Sequence, residues 1–133
     1  MVLIPLQASY VALGVIMSLM SFLHYRNNGS YLTATPPLAG LIFMISYAGC
    51  LFVPYVGSPF FYRCTMFVFL VLITISGVLK HLLAKDKSAY WSEKSRWYAI
   101  LINTYGVVLT AAALGGKHRT RRLKTIPAVR LGA

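Results

Sequence analysis

The chain has 133 residues, of which 58% are hydrophobic and only 11% are charged, against roughly 25% in an average soluble domain. Thirteen Lys and Arg residues face two acidic residues, which gives a formal net charge of +11, and the mean hydropathy is +0.68. This composition excludes an ordinary soluble globule, because too few charges remain to cover a water-facing surface. It indicates a small polytopic membrane protein.

The charged residues divide the chain into four long apolar segments. A helix that crosses a bilayer needs ~20 mainly apolar residues, within a range of about 17 to 25. By this criterion the sequence predicts spans at residues 2–25, 38–55, 60–83 and 97–116. Backbone groups in hydrocarbon must be paired within their own segment, so we expect helices. The predicted fold is all-α: a four-helix transmembrane domain over residues 1–116, followed by a basic tail at 117–133.

The connections between the spans differ in character. Residues 27–37 form a polar loop that ends at two prolines, which prevent a helix from continuing backwards into it. The Val-Gly-Ser-Pro sequence at 56–59 predicts a tight hairpin between the second and third helices. Residues 85–96 form a charged connector flanked by Tyr and Trp, which fits either an interfacial segment or a solvated loop. Gly115 and Gly116 predict the end of the fourth helix.

The fourth predicted helix carries a stripe of mostly small residues, spaced alternately by four and three. Its members are Ala99, Asn103, Gly106, Thr110 and Ala113. Such spacing keeps one face toward a neighbouring helix, and small side chains let the two backbones approach closely. Asn103 could also donate a hydrogen bond across the contact. The stripe favours packing inside the bundle, with packing against another subunit as the alternative.

Two histidines are the only candidates for a cofactor. His24 and His81 lie near the ends of the first and third helices, which are expected on the same side of the membrane. Two facing histidines could bind a haem iron axially, whereas interfacial histidines more commonly contact lipid headgroups. We expect headgroup contact and no cofactor. Cys50 and Cys64 lack the spacing of a metal site, and we expect free thiols.

Catalytic groups are missing from the predicted spans. Both acidic residues, Asp86 and Glu93, lie in the charged connector. No Ser or Cys nucleophile has a histidine and an acid at a recognisable spacing, and the glycine loops that cradle phosphates are absent. We therefore expect a protein without enzymatic activity and without a metal site.

Cations at the predicted membrane boundaries are candidates for binding anionic lipid headgroups. They are Arg26, Lys80 and Lys85 on one side and Arg63, Lys117 and Arg119 on the other. The two sides carry six and seven Lys and Arg residues, so the positive-inside rule does not select an orientation. The tail could serve as a topogenic flank, bind a cardiolipin-like phospholipid, or dock on acidic neighbours. It lacks the interleaved aromatic residues that would favour nucleic acid.

These features predict a non-catalytic accessory subunit of a multi-subunit membrane complex. We expect an energy-transducing complex of respiratory type in the mitochondrial inner membrane, with the ER and the bacterial inner membrane as other locations. One alternative is a small homo-oligomeric transporter or channel with Asn103 and Thr110 on its lining. A further alternative is a haem-binding membrane anchor that uses His24 and His81.

Overall fold

A computed structural model describes residues 3–56, 59–84 and 90–115, and all regular structure within them is helical. Four helices are long and apolar enough to cross a membrane. They are the first span, Leu3–Asn28; the second, Pro37–Tyr55; the third, Pro59–Leu83; and the fourth, Glu93–Gly115. The predicted all-α membrane fold with four spanning helices is thereby confirmed. The basic tail lies outside the described residues.

The first span ends three residues later than predicted. The single helix α1 covers Leu3–Asn28 and continues past Arg26. It stops at Gly29, whose positive φ of 70° is the left-handed conformation that glycine adopts without strain. The Gly29 N–H still donates to the Tyr25 carbonyl at 2.8 Å. Beyond it, the Leu32 N–H donates to the Ser21 hydroxyl at 3.2 Å, so the following loop folds back onto the end of the helix.

The second span is interrupted near its end. Helix α2 covers Pro37–Cys50 and a short helix, α3, covers Val53–Val56. Pro54 has no backbone N–H to donate to the carbonyl four residues earlier, so the helix cannot continue regularly. The chain instead makes tighter turns there, in which the Leu51 N–H donates to the Ala48 carbonyl at 3.0 Å. Gly57 and Ser58 lie outside the described residues, so the tight hairpin stays a prediction.

The third span changes its helical pitch midway. Helix α4 covers Pro59–Leu72, a π-helical segment covers Ile73–Leu79, and helix α5 covers Lys80–Leu83. The hydroxyl of Thr74 donates to the Leu70 carbonyl at 2.7 Å, and that of Ser76 to the Leu72 carbonyl at 2.5 Å. Such bonds compete with the backbone N–H groups for the same acceptors, which makes a wider turn easier to accommodate.

The fourth span begins four residues earlier than predicted, as helix α6 at Glu93–Gly115. The Ser95 N–H donates to the Ser92 hydroxyl and the Ser92 N–H donates to the Ser95 hydroxyl, each at 3.2 Å. This reciprocal pair satisfies two N–H groups at the start of the helix, in the manner of a capping box. The last four residues of the predicted connector, 93–96, are therefore helical.

The four spans form a ring in which each contacts its neighbours in sequence and the fourth closes against the first. The second span is the main packing partner of the first, and the fourth span packs on both the first and the third. The buried apolar core lies along the axis, centred on Tyr10, Tyr47, Met66 and Ile73. Large apolar side chains cover the outside, as expected for a surface that faces lipid.

Candidate functional site: a polar core and an internal cavity

The small-residue stripe of the fourth span faces the inside of the bundle. Ala99, Gly106, Thr110 and Ala113 are all buried, and Asn103 is half-buried. Gly106 contacts the first span, because a Cβ placed on it would overlap the ring of Tyr10. The structure thus uses this face for packing within the chain.

A chain of hydrogen bonds links all four spans at the end of the bundle where the first span begins and the fourth ends. The Tyr62 hydroxyl donates to Gln7 Oε1 at 3.4 Å, and Gln7 Nε2 donates to the Tyr47 hydroxyl at 3.0 Å. The Tyr47 and Thr110 hydroxyls lie 2.8 Å apart, and the Thr110 hydroxyl lies 2.7 Å from the Gly106 carbonyl, to which it donates. Because Thr110 gives its hydrogen to Gly106, Tyr47 must donate to Thr110.

This chain satisfies the hydrogen-bonding groups of its buried members. Gln7, Tyr47 and Thr110 are fully buried, and the second N–H of Gln7 points to the Met66 sulfur at 3.7 Å. Tyr10 packs edge-on against Tyr47 with ring centroids 5.3 Å apart. We call the region around Gln7, Tyr10, Tyr47, Met66 and Thr110 the closed half of the bundle. Its large side chains fill the axis between the four spans.

The opposite half of the bundle contains a cavity of about 340 Å³. Its walls come from the second half of the first span, the start of the second, the π-helical segment and the start of the fourth. Away from the rim the lining is mainly apolar, with Met17, Phe43, Met44, Ile73 and Ile102, and it also includes Ser18, Ser76 and Asn103. The rim is polar and carries Ser21, Thr33, Thr35, Lys80 and His81. We call this region the cavity half.

Glycines on three walls position the side chains that line the cavity. A Cβ on Gly77 would lie 2.6 Å from Asn103 Oδ1, and one on Gly40 would lie 2.6 Å from the Ser18 hydroxyl. Gly14 similarly receives the side chain of Met44. The amide of Asn103 donates to the Ala99 carbonyl at 2.8 Å, which holds its oxygen toward the third span. Asn103 therefore lines the cavity, whereas Thr110 belongs to the closed half.

The rim is held by contacts with the fourth span and its preceding segment. Tyr90 places its hydroxyl 2.6 Å from His81 Nδ1, and both side chains are buried. Burial raises the pKa of Tyr90, and the nearby Arg96 partly offsets that effect. Arg96 donates to the carbonyls of His81 and Leu82, each at 2.9 Å. It thereby satisfies two backbone acceptors at the end of the third span.

The two histidines do lie at the same end of the bundle, and both contact the aromatic residues before the fourth span. His24 packs on Trp91 with ring centroids 4.9 Å apart, and its Nδ1 lies 3.0 Å from the Asn28 amide nitrogen. His24 Nε2 is buried without a hydrogen-bond partner among the described residues. Since His81 Nδ1 already contacts Tyr90, each ring has one nitrogen engaged by the protein itself.

The headgroup candidates fall into two groups. Arg26, Arg63 and Lys80 are exposed, and Lys80 also lines the cavity rim. Lys85, Lys117 and Arg119 lie outside the described residues. Cys50 and Cys64 are free thiols. In the described part of the chain, no three His, Cys, Asp or Glu side chains cluster as metal ligands would.

Comparison with protein families, with curated proteins and with solved structures gives no match for this chain.

Reasoning from the sequence did not identify the closed half or the cavity. Gln7 carries the only side-chain amide in the first 23 residues of the sequence. Because an amide buried in hydrocarbon requires hydrogen-bond partners, Gln7 could have indicated a polar contact inside the bundle. Its partners Tyr47 and Tyr62 resemble interfacial tyrosines in sequence. The cavity depends on how far apart the helices pack, which no local pattern encodes.

Proposed function

We propose that the protein is a non-catalytic accessory subunit of a multi-subunit membrane complex. The observation that carries this proposal is an apolar groove, distinct from the cavity, on the outside of the bundle between the first and second spans. It is lined by Ile4, Ala8, Val11, Ala48, Leu51, Phe52 and Tyr55. Small residues on both helices let another transmembrane helix approach closely, and close packing is what drives helix association in a bilayer.

The charge of the chain favours a different protein over a second copy as the occupant of the groove. Two copies side by side would bring together two chains of net charge +11, which repel each other. A neighbour with acidic loops would be attracted instead. The exposed Arg26 and Lys80 would in addition bind anionic, cardiolipin-like phospholipids at the membrane boundary.

We propose an energy-transducing complex of the mitochondrial inner membrane as the host. This choice rests on the class of protein, because small, basic, polytopic chains are common accessory subunits there. The ER and the bacterial inner membrane are the other settings in which the same proposal would hold.

Site-specific photocrosslinking in native membranes tests the proposal. A benzophenone amino acid at Ala48, in the groove, should crosslink to one distinct protein of another sequence. The same probe at Val68, which is 54% exposed on the third span, serves as the control and should label lipid. Crosslinks from Ala48 only to lipid, or only to a second copy of this chain, would overturn the proposal.

The second candidate function is a small transporter, which the position of Asn103 on the cavity wall favours. The described bundle offers no continuous path, because Tyr10, Tyr47 and Met66 fill the axis on the other side. Transport would therefore require the closed half to open. Asn103→Leu in proteoliposomes should abolish solute flux under this candidate, whereas unchanged flux would eliminate it.

A further inference from the structure

We propose that the internal cavity is a binding site for a single-chain amphiphile with an anionic head, a carboxylate or a phosphate. This site is separate from the outer groove, and it shares only Lys80 with the cations proposed to bind headgroups at the surface. Its polar rim and apolar interior are arranged along the membrane normal, as the two ends of such a molecule would be.

The cavity changes from polar to apolar with depth. Met44, on the apolar wall, follows Pro37, at the start of the second span, by seven residues of helix α2. At about 1.5 Å per residue this separates them by roughly 10 Å along the bundle axis. Ile73, on the apolar wall, precedes Lys80, on the rim, by the seven residues of the π-helical segment, so a second wall shows the same gradient. A ligand would therefore have its tail near the middle of the bilayer and its head at the boundary.

The charge of the rim comes from Lys80, and the cavity lining includes no carboxylate among the described residues. Arg96, which donates to the carbonyl of the rim residue His81, lies 3.7 Å from Glu93, so this ion pair offsets its charge. Lys80 therefore gives the rim a positive charge, which favours an anionic head over a cationic one.

The cavity lining carries hydrogen-bonding groups that the chain itself does not use within the described residues. Ser18 is only 9% exposed and lines the cavity, and its hydroxyl makes no hydrogen bond within the described residues. His81 is 2% exposed and uses Nδ1 for Tyr90, which leaves Nε2 as its second polar atom at the rim. Buried polar groups are normally hydrogen-bonded, so such groups facing a cavity point to a polar partner inside it.

The size of the cavity limits the ligand. Sites for small molecules usually measure about 300–1,000 Å³, and this cavity of about 340 Å³ lies at the lower end. At about 30 Å³ for a group the size of water, it holds roughly eleven such groups. That volume matches one short alkyl chain and is too small for both tails of a phospholipid.

Photoaffinity labelling of the purified full-length chain in phosphatidylcholine nanodiscs tests the proposal. The probes are an eight-carbon carboxylate and an eight-carbon alkyl phosphate, each with a diazirine at mid-chain, and a trimethylammonium probe of the same length. Labelled peptides are mapped by mass spectrometry. We expect both anionic probes to label the interior residues Met17, Phe43 and Met44, and the cationic probe to label only the outer surface.

Variants define the site. Lys80→Glu should reduce interior labelling by the anionic probes about tenfold, because a charged hydrogen-bonding partner is lost and replaced by repulsion. Lys94→Glu, an exposed cation outside the cavity lining, is the matched control and should leave labelling unchanged. Ala39→Phe, which fills the cavity from an exposed wall position, should reduce labelling by both probes.

Three results would overturn the proposal. They are anionic labels confined to outward-facing residues, equal interior labelling by the cationic probe, and equal effects of Lys80→Glu and Lys94→Glu. Preference for one of the two anionic probes would identify the head as carboxylate or phosphate. Because the purified chain is used alone, failure here leaves the crosslinking test of the accessory-subunit proposal unaffected.

Discussion

The closed half and the cavity half are built from the same four spans, but their side chains pack differently along the bundle axis. In the closed half, Tyr10, Tyr47 and Met66 fill the axis, and Gln7 and Thr110 join the spans by hydrogen bonds. In the cavity half, small residues such as Gly14, Ser18, Gly40 and Gly77 line a cavity, and Asn103 approaches the third span at Gly77. The contrast indicates that one half stabilises the bundle and leaves the other free to bind a ligand.

The contrast predicts that added volume is tolerated very differently in the two halves. Gly106→Ala should lower the free energy of unfolding by about 2–3 kcal/mol, because the new Cβ would overlap the ring of Tyr10. Gly49→Ala is the matched control, since a Cβ there meets nothing within 4 Å. Chemical unfolding in detergent micelles measures both. Equal effects of the two substitutions would show that the closed half is not tightly packed.

Two tyrosines of the closed half should respond in opposite directions to loss of the hydroxyl. Tyr47→Phe removes the link between Gln7 and Thr110, and we expect a loss of about 1–2 kcal/mol. Tyr10→Phe should be neutral or slightly stabilising, because the buried Tyr10 hydroxyl has no partner among the described residues. The same unfolding assay checks the pair. A larger loss for Tyr10→Phe than for Tyr47→Phe would contradict the hydrogen-bond chain.

A large side chain in the cavity half should cost little stability while it removes binding. Ala39 is exposed at the cavity wall, so Ala39→Phe should change the free energy of unfolding by less than about 0.5 kcal/mol. Its retained stability is what makes it informative in the labelling experiment. A loss comparable to that of Gly106→Ala would mean that the two halves are equally close-packed.

The smallest expected effect is a pH dependence at the cavity rim. Burial raises the pKa of Tyr90 above its usual value near 10, so the folded protein keeps a proton that the unfolded chain releases. The contribution is complete below pH about 10 and is lost as the pH rises through the folded-state pKa. The stability difference between wild type and Tyr90→Phe should therefore shrink above pH about 10. A difference that grew with pH would contradict the buried contact with His81.

The four spans were predictable because hydrophobic length and the positions of charges decide them. Helix ends were less certain, and each deviation has a local cause. Gly29 ends the first helix only after it passes Arg26, and the Ser92–Ser95 pair starts the fourth helix within a charged segment. A serine followed three residues later by another polar side chain is a recognisable capping signal, so this start could have been predicted.

The candidate site was less predictable from sequence. The stripe on the fourth span lies inside the bundle, but its pattern did not reveal the residues that it meets, Tyr10 and Gly77, which are distant in the chain. The π-helical segment also has no dedicated sequence pattern, although Thr74 and Ser76 supply hydroxyls that assist it. Cavities arise from the spacing between helices, which depends on all four spans at once.

The most direct test of the central claim, that one half of the bundle is closed and the other accessible, is cysteine accessibility. In a background with Cys50 and Cys64 replaced by serine, Ser18→Cys and Thr110→Cys are compared in proteoliposomes with a small methanethiosulfonate reagent added to both sides. Thiols react as thiolates, so labelling requires contact with water. The account predicts that Ser18→Cys is labelled and that Thr110→Cys is protected. Equal labelling at the two positions, or protection of Ser18→Cys, would contradict it.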